Sequence, residues 1–414
     1  MKISLLVIAS EILEGKVQDI NTLNLSKLLK SQSHTLEQVI TVSDHQDHIT
    51  CALEILSSSD LVVISGGMGP TPDDLTKGAI ALFLNAPLIS SEESSAIAAK
   101  NYQNRGRAIP SNHPYQMIPQ NSRALFNPQG YAPGIVFSKN STLFIALPGV
   151  PREFSSMISL HLPGLLNKDH ELVSDFIIRT KEIGEEKIFN ELDPSLWEKL
   201  QTFGSVASLP YLHGVDLTVR LKAQHADEME EKKNQLKQFI LGHPLAQFIW
   251  HIGSDSLEEC IIKKAQELGV RFGFAESCTG GLCSDKITNV NGSSSVFYGS
   301  VICYHQDIKV KQLGVDPATI EKFDVVSGPV ALQMAQGLRQ LYPIDIAVSI
   351  TGHAGPHANQ AKIPTGTVYI GISCELGDFT SQLHFVGERT RLKESFYQMA
   401  LFQLLETLEK LALR

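Results

Sequence analysis

No apolar stretch in this 414-residue chain approaches the ~20 residues a helix needs to span a bilayer, so nothing points to a helical membrane protein. The six cysteines (Cys51, Cys260, Cys278, Cys283, Cys303 and Cys374) contain no C-x-x-C pair and no regular spacing. They read as reduced thiols of a cytoplasmic protein, neither a disulfide framework nor a zinc site. Positive charge is in short supply, with 35 Lys and Arg against 44 Asp and Glu and a net charge of −9. That balance argues against a general affinity for nucleic acid or anionic membrane, but leaves room for small phosphorylated ligands at a local N–H-rich site. There is no internal repeat, no low-complexity tract and no G-x-S-x-G elbow, so the usual serine–histidine hydrolase pattern finds no support.

What is present is an ordinary globular composition, 43% hydrophobic and 19% charged, on a chain long enough for two or three domains. The N-terminal Met1–Ser10 has a short apolar run followed by Glu11 and Glu14, and reads as a buried first strand rather than a signal peptide. Strand-like runs at Ile3–Ala9, Leu61–Ser65 and Thr142–Leu147 alternate with helical periods at Asn21–Gln32 and Thr76–Leu84, a pattern that predicts a parallel sheet covered by helices. A smaller segment follows, with strands at Phe176–Thr180 and Val215–Lys222 and a charged run, Asp227–Lys233, that reads as the solvated face of a helix. From about Ser256 the alternation resumes. A helix at Leu257–Leu268 is followed by strands at Val270–Ala275, Val296–Tyr304, Ile344–Ile350 and Gly366–Ser373 and a closing helix at Leu392–Leu411. The expected fold class is α/β, with two α/β domains of mainly parallel sheets (1–167 and 255–414) joined by a small α+β domain (171–250).

Two strings carry chemistry. Glu276-Ser277-Cys278-Thr279-Gly280-Gly281 ends an apolar strand and opens a helical segment, Leu282–Thr288. Free backbone N–H groups converge at such a turn and can hold a developing oxyanion. By themselves these six residues fit an N-cap as well as a nucleophile. A serine nucleophile needs a base, and Lys309 lies five residues beyond Tyr304, at the start of the next helical turn. A lysine serves as base only where burial or nearby cations lower its pKa, and a tyrosine hydroxyl can relay the proton. Cys278, beside Ser277 at a helix N-terminus that favours the thiolate, is a rival nucleophile. In the other string, Ser65-Gly66-Gly67-Met68-Gly69-Pro70-Thr71-Pro72-Asp73-Asp74-Leu75-Thr76 follows a buried strand. Its glycines can admit a phosphate, and its paired aspartates can hold a cation bridging that phosphate.

These strings resemble the CinA family. Residues 276–281 stand as in the family's C-terminal domain, with its tyrosine-x4-lysine at Tyr304 and Lys309 and its Gly292-Ser293-Ser294 turn. The twelve residues from Ser65 look like the family's molybdopterin-binding-like N-terminal domain, as do Asn127-Pro128-x-Gly130-x-Ala132-Pro133-Gly134 and Leu147–Glu153. The resemblance implies a serine–lysine amidohydrolase acting on nicotinamide mononucleotide (NMN) without a cofactor, with Ser277 as nucleophile, Lys309 as base and Tyr304 assisting. It places Cys278, Thr279, Gly280, Gly281, Thr351, Gly352, Gly355 and Arg389 around oxyanion and substrate. For the N-terminal domain it implies ADP-ribose pyrophosphatase chemistry with a divalent cation, with phosphate on Gly66, Gly67, Gly69 and Thr71 and the cation on Asp73, Asp74, Glu11 and Asp19. The middle domain is similar to the family's KH-like module but lacks a G-x-x-G clamp, which favours a spacer or homodimer contact over RNA binding. The alternatives are a non-catalytic nucleotide-binding accessory protein, or a chain in which only the N-terminal pyrophosphatase works.

The chain departs from the family pattern at four places. Ala9-Ser10 replaces a glycine-threonine pair, and His113-Pro114-Tyr115 stands between Asn112 and Gln116 where a lysine is usual. His353 replaces an aliphatic residue in Thr351–Pro356, a change read as a loop variant rather than a new catalytic group. The fourth is Ile363-Pro364-Thr365-Gly366, where a valine is usual before the glycine, and both loops are expected to flank the substrate.

Overall fold

A computed structural model of the chain describes residues 1–110, 113–166, 172–355 and 363–414. Asn112, Pro356 and the expected first boundary at 167–171 lie outside the described residues.

The first part of the chain supplies eight strands: β1 (Ile3–Ile8), β2 (Leu36–Val42), β3 (Leu61–Ser65), β4 (Leu88–Ser90), β5 (Met117–Pro119), β6 (Arg123–Leu125), β7 (Gly134–Lys139) and β8 (Thr142–Leu147). Six of them form a sheet in the order β2-β1-β3-β8-β7-β6, and β4 pairs with β5 apart from it. β2, β1, β3 and β8 run parallel, because helices connect them. β7 runs antiparallel to β8, because only Asn140 and Ser141 separate them and so short a link can only reverse the chain. The expectation of mainly parallel sheets therefore holds with an antiparallel edge added. β1 and β3 are buried along their whole length. Their alternate residues feed two cores, one under the helices Gln46–Leu56 and Thr76–Leu84 and one under Asn21–Ser31 and Pro151–His161.

By compactness the chain divides into two units, residues 1–174 with 220–235, and residues 175–219 with 236–414. The middle segment contributes β9 (Leu172–Thr180), β10 (Ser205–Tyr211), β11 (Gly214–Ala223) and β12 (Ile249–Ile252), in the order β10-β11-β9-β12. The charged run falls, as read, within a helix, Ala226–Leu241.

In the second unit β13 (Phe272–Glu276), β14 (Phe297–Ile302), β15 (Ile346–Gly352), β16 (Thr367–Cys374) and β17 (Gly377–His384) form a sheet ordered β14-β13-β15-β16-β17. The first three are parallel, and β16 and β17 fold back as an antiparallel edge. One face, with Phe272, Phe274 and Ile350, packs under the helices Leu257–Leu268 and Arg389–Ala412. The other face, with Ala275 and Ala347, packs under Gly328–Leu341. Among the described residues no helix is long and apolar enough to cross a membrane.

Candidate active site

Strand register builds the site. Glu276, at the end of β13, pairs with Ile302 of β14 on one side and Ile350 of β15 on the other, so β13 and β14 end level and β15 runs on to Gly352. The residues after these three, Ser277, Cys303 and Thr351, therefore meet at the carboxyl edge of the sheet, where open α/β sheets bind ligands. Two backbone bonds extend the ladder past the strand ends, Ser277 N–H to the Ile350 carbonyl at 2.9 Å and Cys303 N–H to the Glu276 carbonyl at 2.8 Å. The chain then turns at Tyr304 into the helix Gln306–Leu313, capped by the His305 ring accepting from Asp307 N–H at 3.2 Å. That helix carries Lys309 back beneath the strand ends.

Lys309 is fully buried. Its Nζ lies 2.8 Å from Ser277 Oγ and donates to the Cys303 carbonyl at 2.5 Å. Burial holds the amine below its usual pKa, outweighing the opposing pull of Cys303 and Cys278. A neutral amine can take the serine proton, which is the requirement for a lysine base. Ser277 and Lys309 line a cavity of about 250 Å³ together with Cys278, Thr351, Gly352 and Gly355, and Tyr304 and Arg389 also border it.

The turn after Ser277 is held by Glu276, a fully buried carboxylate to which the sequence reading gave no role. Its Oε2 accepts from the N–H groups of Gly281 (2.9 Å) and Cys283 (3.2 Å), and its Oε1 from Ser284 N–H (3.0 Å) and Ser284 Oγ (2.6 Å). Four donors at the start of the helix Leu282–Thr288 compensate the buried charge, which without them would be strongly unfavourable. A charged residue closing an apolar strand was the signal for it in the sequence.

This clamp corrects the oxyanion assignment. The Gly281 amide is taken by Glu276 and the Gly280 amide donates to the Ser277 carbonyl at 3.1 Å. Among the described residues, the amides of Cys278 and Thr279 donate no hydrogen bond to a protein oxygen, and of the two residues only Cys278 lines the cavity. Thr279, Gly280 and Gly281 do not line the cavity, and the Thr351 hydroxyl donates to the Val325 carbonyl at 3.1 Å.

Tyr304 is a second correction. Its side chain is 61% exposed, and its hydroxyl accepts from Arg389 Nη2 at 3.1 Å instead of bonding to Ser277 or Lys309. Arg389 also donates to the Gly355 carbonyl at 2.6 Å, so arginine and tyrosine form a cationic rim rather than a proton relay. Cys278 is a third. Burial pushes its thiol up to about 12 and overrides the expected stabilisation of the thiolate by the helix start. The sequence reading also missed Val325 and Val326 in the cavity wall. His353 lines it too, with an Nε2 that is buried and has no hydrogen-bond partner among the described residues.

In the N-terminal unit the glycine string, Glu11, Asp19, Asp73 and Asp74 border one cavity of about 680 Å³. The expected phosphate nest is largely closed. Gly66 N–H donates to the Leu147 carbonyl (3.0 Å), Gly69 N–H to Asp74 (2.8 Å) and Thr71 N–H to Asp74 (2.8 Å). Gly66 itself is demanded by packing, since at φ +113° an added Cβ would lie 2.1 Å from the Ile8 carbonyl oxygen. The cation set does not fit either. The Asp74 carboxylate staples its own loop, accepting from the Thr71 hydroxyl as well (2.5 Å), and Asp19 accepts from Thr22 N–H (3.0 Å) and the Thr22 hydroxyl (2.5 Å) at the head of a helix. Among the described residues no three of the four carboxylates gather into a metal-holding group. No cation-dependent step follows from them. In place of the family's lysine near His113, Lys77 reaches across to donate to the Pro114 carbonyl at 2.9 Å.

Residues 254–408 match the model described as "CinA C-terminal domain", and residues 4–168 the model described as "Probable molybdopterin binding domain". A CinA-like protein of Dictyoglomus thermophilum is 33% identical over 95% of this chain and 96% of its own length. The chain belongs to the CinA family. A second CinA-like protein, from Dictyoglomus turgidum, is 32% identical over 95% of this chain and 96% of its own. Among solved structures, a competence/damage-inducible protein of Agrobacterium tumefaciens is 32% identical, covering 38% of this chain and 97% of its own (TM-score 0.36). A CinA protein of Thermoplasma acidophilum, whose function is described as unknown, is 30% identical, covering 40% of this chain and 98% of its own (TM-score 0.37). The strand-end register and the buried Ser277–Lys309 pair are thus features of a CinA C-terminal domain.

Proposed function

We propose that the C-terminal domain hydrolyses the carboxamide of nicotinamide mononucleotide to nicotinate mononucleotide and ammonia. The observation that carries this reading is the fully buried Lys309 amine 2.8 Å from Ser277 Oγ. Neutral Lys309 takes the hydroxyl proton as Ser277 Oγ attacks the carboxamide carbon, and the unbonded amide of Cys278, at the cavity wall, receives the developing oxyanion. Collapse breaks the C–N bond, with the Lys309 ammonium returning the proton to the departing ammonia. Water then adds to the acyl-serine, giving up its proton to Lys309, and the carboxylate leaves as Ser277 is regenerated.

Size supports a split ligand. A cavity of about 250 Å³ is below the ~300–1,000 Å³ of most ligand pockets, room enough for the pyridine ring and its amide. The nucleotide phosphate would then lie at the rim with Arg389, whose guanidinium suits it.

The test is ammonia release from NMN by the full chain and by Ser277→Ala, with ADP-ribose hydrolysis followed in parallel with and without divalent metal. The expected result is metal-independent ammonia release that Ser277→Ala abolishes. Full activity in Ser277→Ala overturns the proposal, and so does binding of NMN without turnover.

A further inference from the structure

Outside both cavities, one set of three metal-ligating side chains comes together among the described residues: His251, Asp255 and Cys260. His251 is the third residue of β12, Asp255 lies in the turn that follows, and Cys260 sits in the opening turn of the helix Leu257–Leu268. That helix starts on a two-way cap, with Ser256 Oγ accepting from Glu259 N–H at 3.2 Å and Glu259 Oε2 accepting from Ser256 N–H at 2.7 Å. The cap fixes the turn and aims its first residues back at the strand.

One ligand atom from each side chain lies within 4.8 Å of the other two. Tetrahedral zinc, with bonds of ~2.0–2.3 Å, holds its ligands about 3.3–3.8 Å apart, so a small inward movement of half-buried side chains closes the set. His251 Nε2 is buried and has no hydrogen-bond partner among the described residues, an arrangement that leaves a buried polar atom unsatisfied unless something fills the gap. Gly253 keeps that side of the ring open, since a Cβ there would stand 2.8 Å from Nε2 at a φ of +144°.

We propose that His251, Asp255 and Cys260 form a divalent-metal site of the zinc type, with water in the fourth position. Nitrogen, oxygen and sulfur donors together suit a borderline-soft ion better than calcium or magnesium, which take oxygen alone. Two cations stand nearby. Lys263 Nζ pairs with Asp255 Oδ2 at 2.6 Å, leaving Oδ1 for the metal, and its side chain is solvent-exposed. Arg179 is already engaged by Asp216 at 2.7 Å and by the Gly253 and Ser254 carbonyls at 3.3 and 3.1 Å. Binding releases the Cys260 proton to solvent as the thiolate coordinates. The bound ion would pin β12 to the helix that opens the serine–lysine domain, a structural rather than a catalytic role.

The experiment loads the full chain with Co²⁺, then with Zn²⁺, and removes loose metal by gel filtration. The expected result is one retained equivalent, a thiolate-to-cobalt charge-transfer band with four-coordinate visible bands, and displacement of cobalt by zinc. The band is lost in Cys260→Ser, while His251→Gln and Asp255→Asn each weaken retention by about tenfold or more. It persists in Cys51→Ser, which removes the exposed thiol. Absence of the band in the wild-type chain overturns the proposal without recourse to any variant. A band that survives Cys260→Ser, or vanishes with Cys51→Ser, overturns it as well.

Discussion

Replacing Lys309 with methionine separates the chemistry of the candidate site from its stability. The substitution keeps an unbranched stem of similar length and removes an amine that is fully buried, 2.8 Å from Ser277 Oγ and 2.5 Å from the Cys303 carbonyl. A positioned general base contributes about 10²–10⁴-fold, which corresponds to about 2.7–5.4 kcal/mol of barrier. Stability moves differently. The Cys303 carbonyl loses a donor, at about 1–3 kcal/mol, and removing the amine relieves a desolvation penalty of similar or greater size. Lys309→Met is therefore expected to lose at least about a hundredfold in kcat/KM for ammonia release while unfolding in urea at an equal or higher midpoint.

The same logic fixes the pH dependence. Burial places the folded-state pKa of Lys309 below the 10.5 of the unfolded chain. Between those two values the unfolded state binds the extra proton, so stability rises with pH across that window and, as pH drops, falls across it and levels off below the folded pKa. The wild-type rate should rise with pH and level off below 10.5 as the neutral base accumulates, and the stability window should vanish in Lys309→Met. A variant that keeps more than about a tenth of wild-type kcat/KM would refute the assignment of Lys309 as base.

Tyr304→Phe is expected to raise KM by about 2–10-fold, the worth of one hydrogen bond, with little change in kcat, because its hydroxyl bonds to Arg389. A hundredfold fall in kcat would restore it as a proton relay. Cys278→Ala should retain most of the activity and resist alkylation no less than the wild type, since burial pushes the Cys278 thiol up to about 12. An inactive alanine variant with intact far-UV circular dichroism would make Cys278 the nucleophile. Glu276→Gln should cost about 1.5–3 kcal/mol in urea unfolding, because the new amide nitrogen cannot accept from the donors that meet one of the two oxygens. Unchanged stability and rate in that variant would remove the carboxylate clamp from the account.

Burial explains part of what could be read from the sequence, although the edge strand β14 was read and β7, inside the first sheet, was not. β1, β3 and β8 lie inside the first sheet, are covered on both faces and show as continuous apolar runs, so their limits could be placed almost residue for residue. β2 and β17 are edge strands with no fully buried residue, and they left no run to detect. At the site, Ser277 and Lys309 could be named in advance because the turn and the tyrosine–lysine spacing are local signals. The donors that remain free could not. Which amides of the turn face the cavity depends on Glu276 having claimed others, a three-dimensional competition with no spacing of its own. The His251–Asp255–Cys260 group was passed over because its spacing matches no familiar ligand pattern and its members belong to different elements.

The register that brings Ser277, Cys303 and Thr351 together separates two jobs within one edge of the sheet. Ser277 and the Cys303 carbonyl that holds Lys309 are fixed by ladder hydrogen bonds, so they cannot drift without undoing the sheet. The walls opposite them, including His353 and Thr365, come from connecting segments that carry no such obligation. Mutation can therefore change what the cavity admits while leaving the Ser277–Lys309 pair in place.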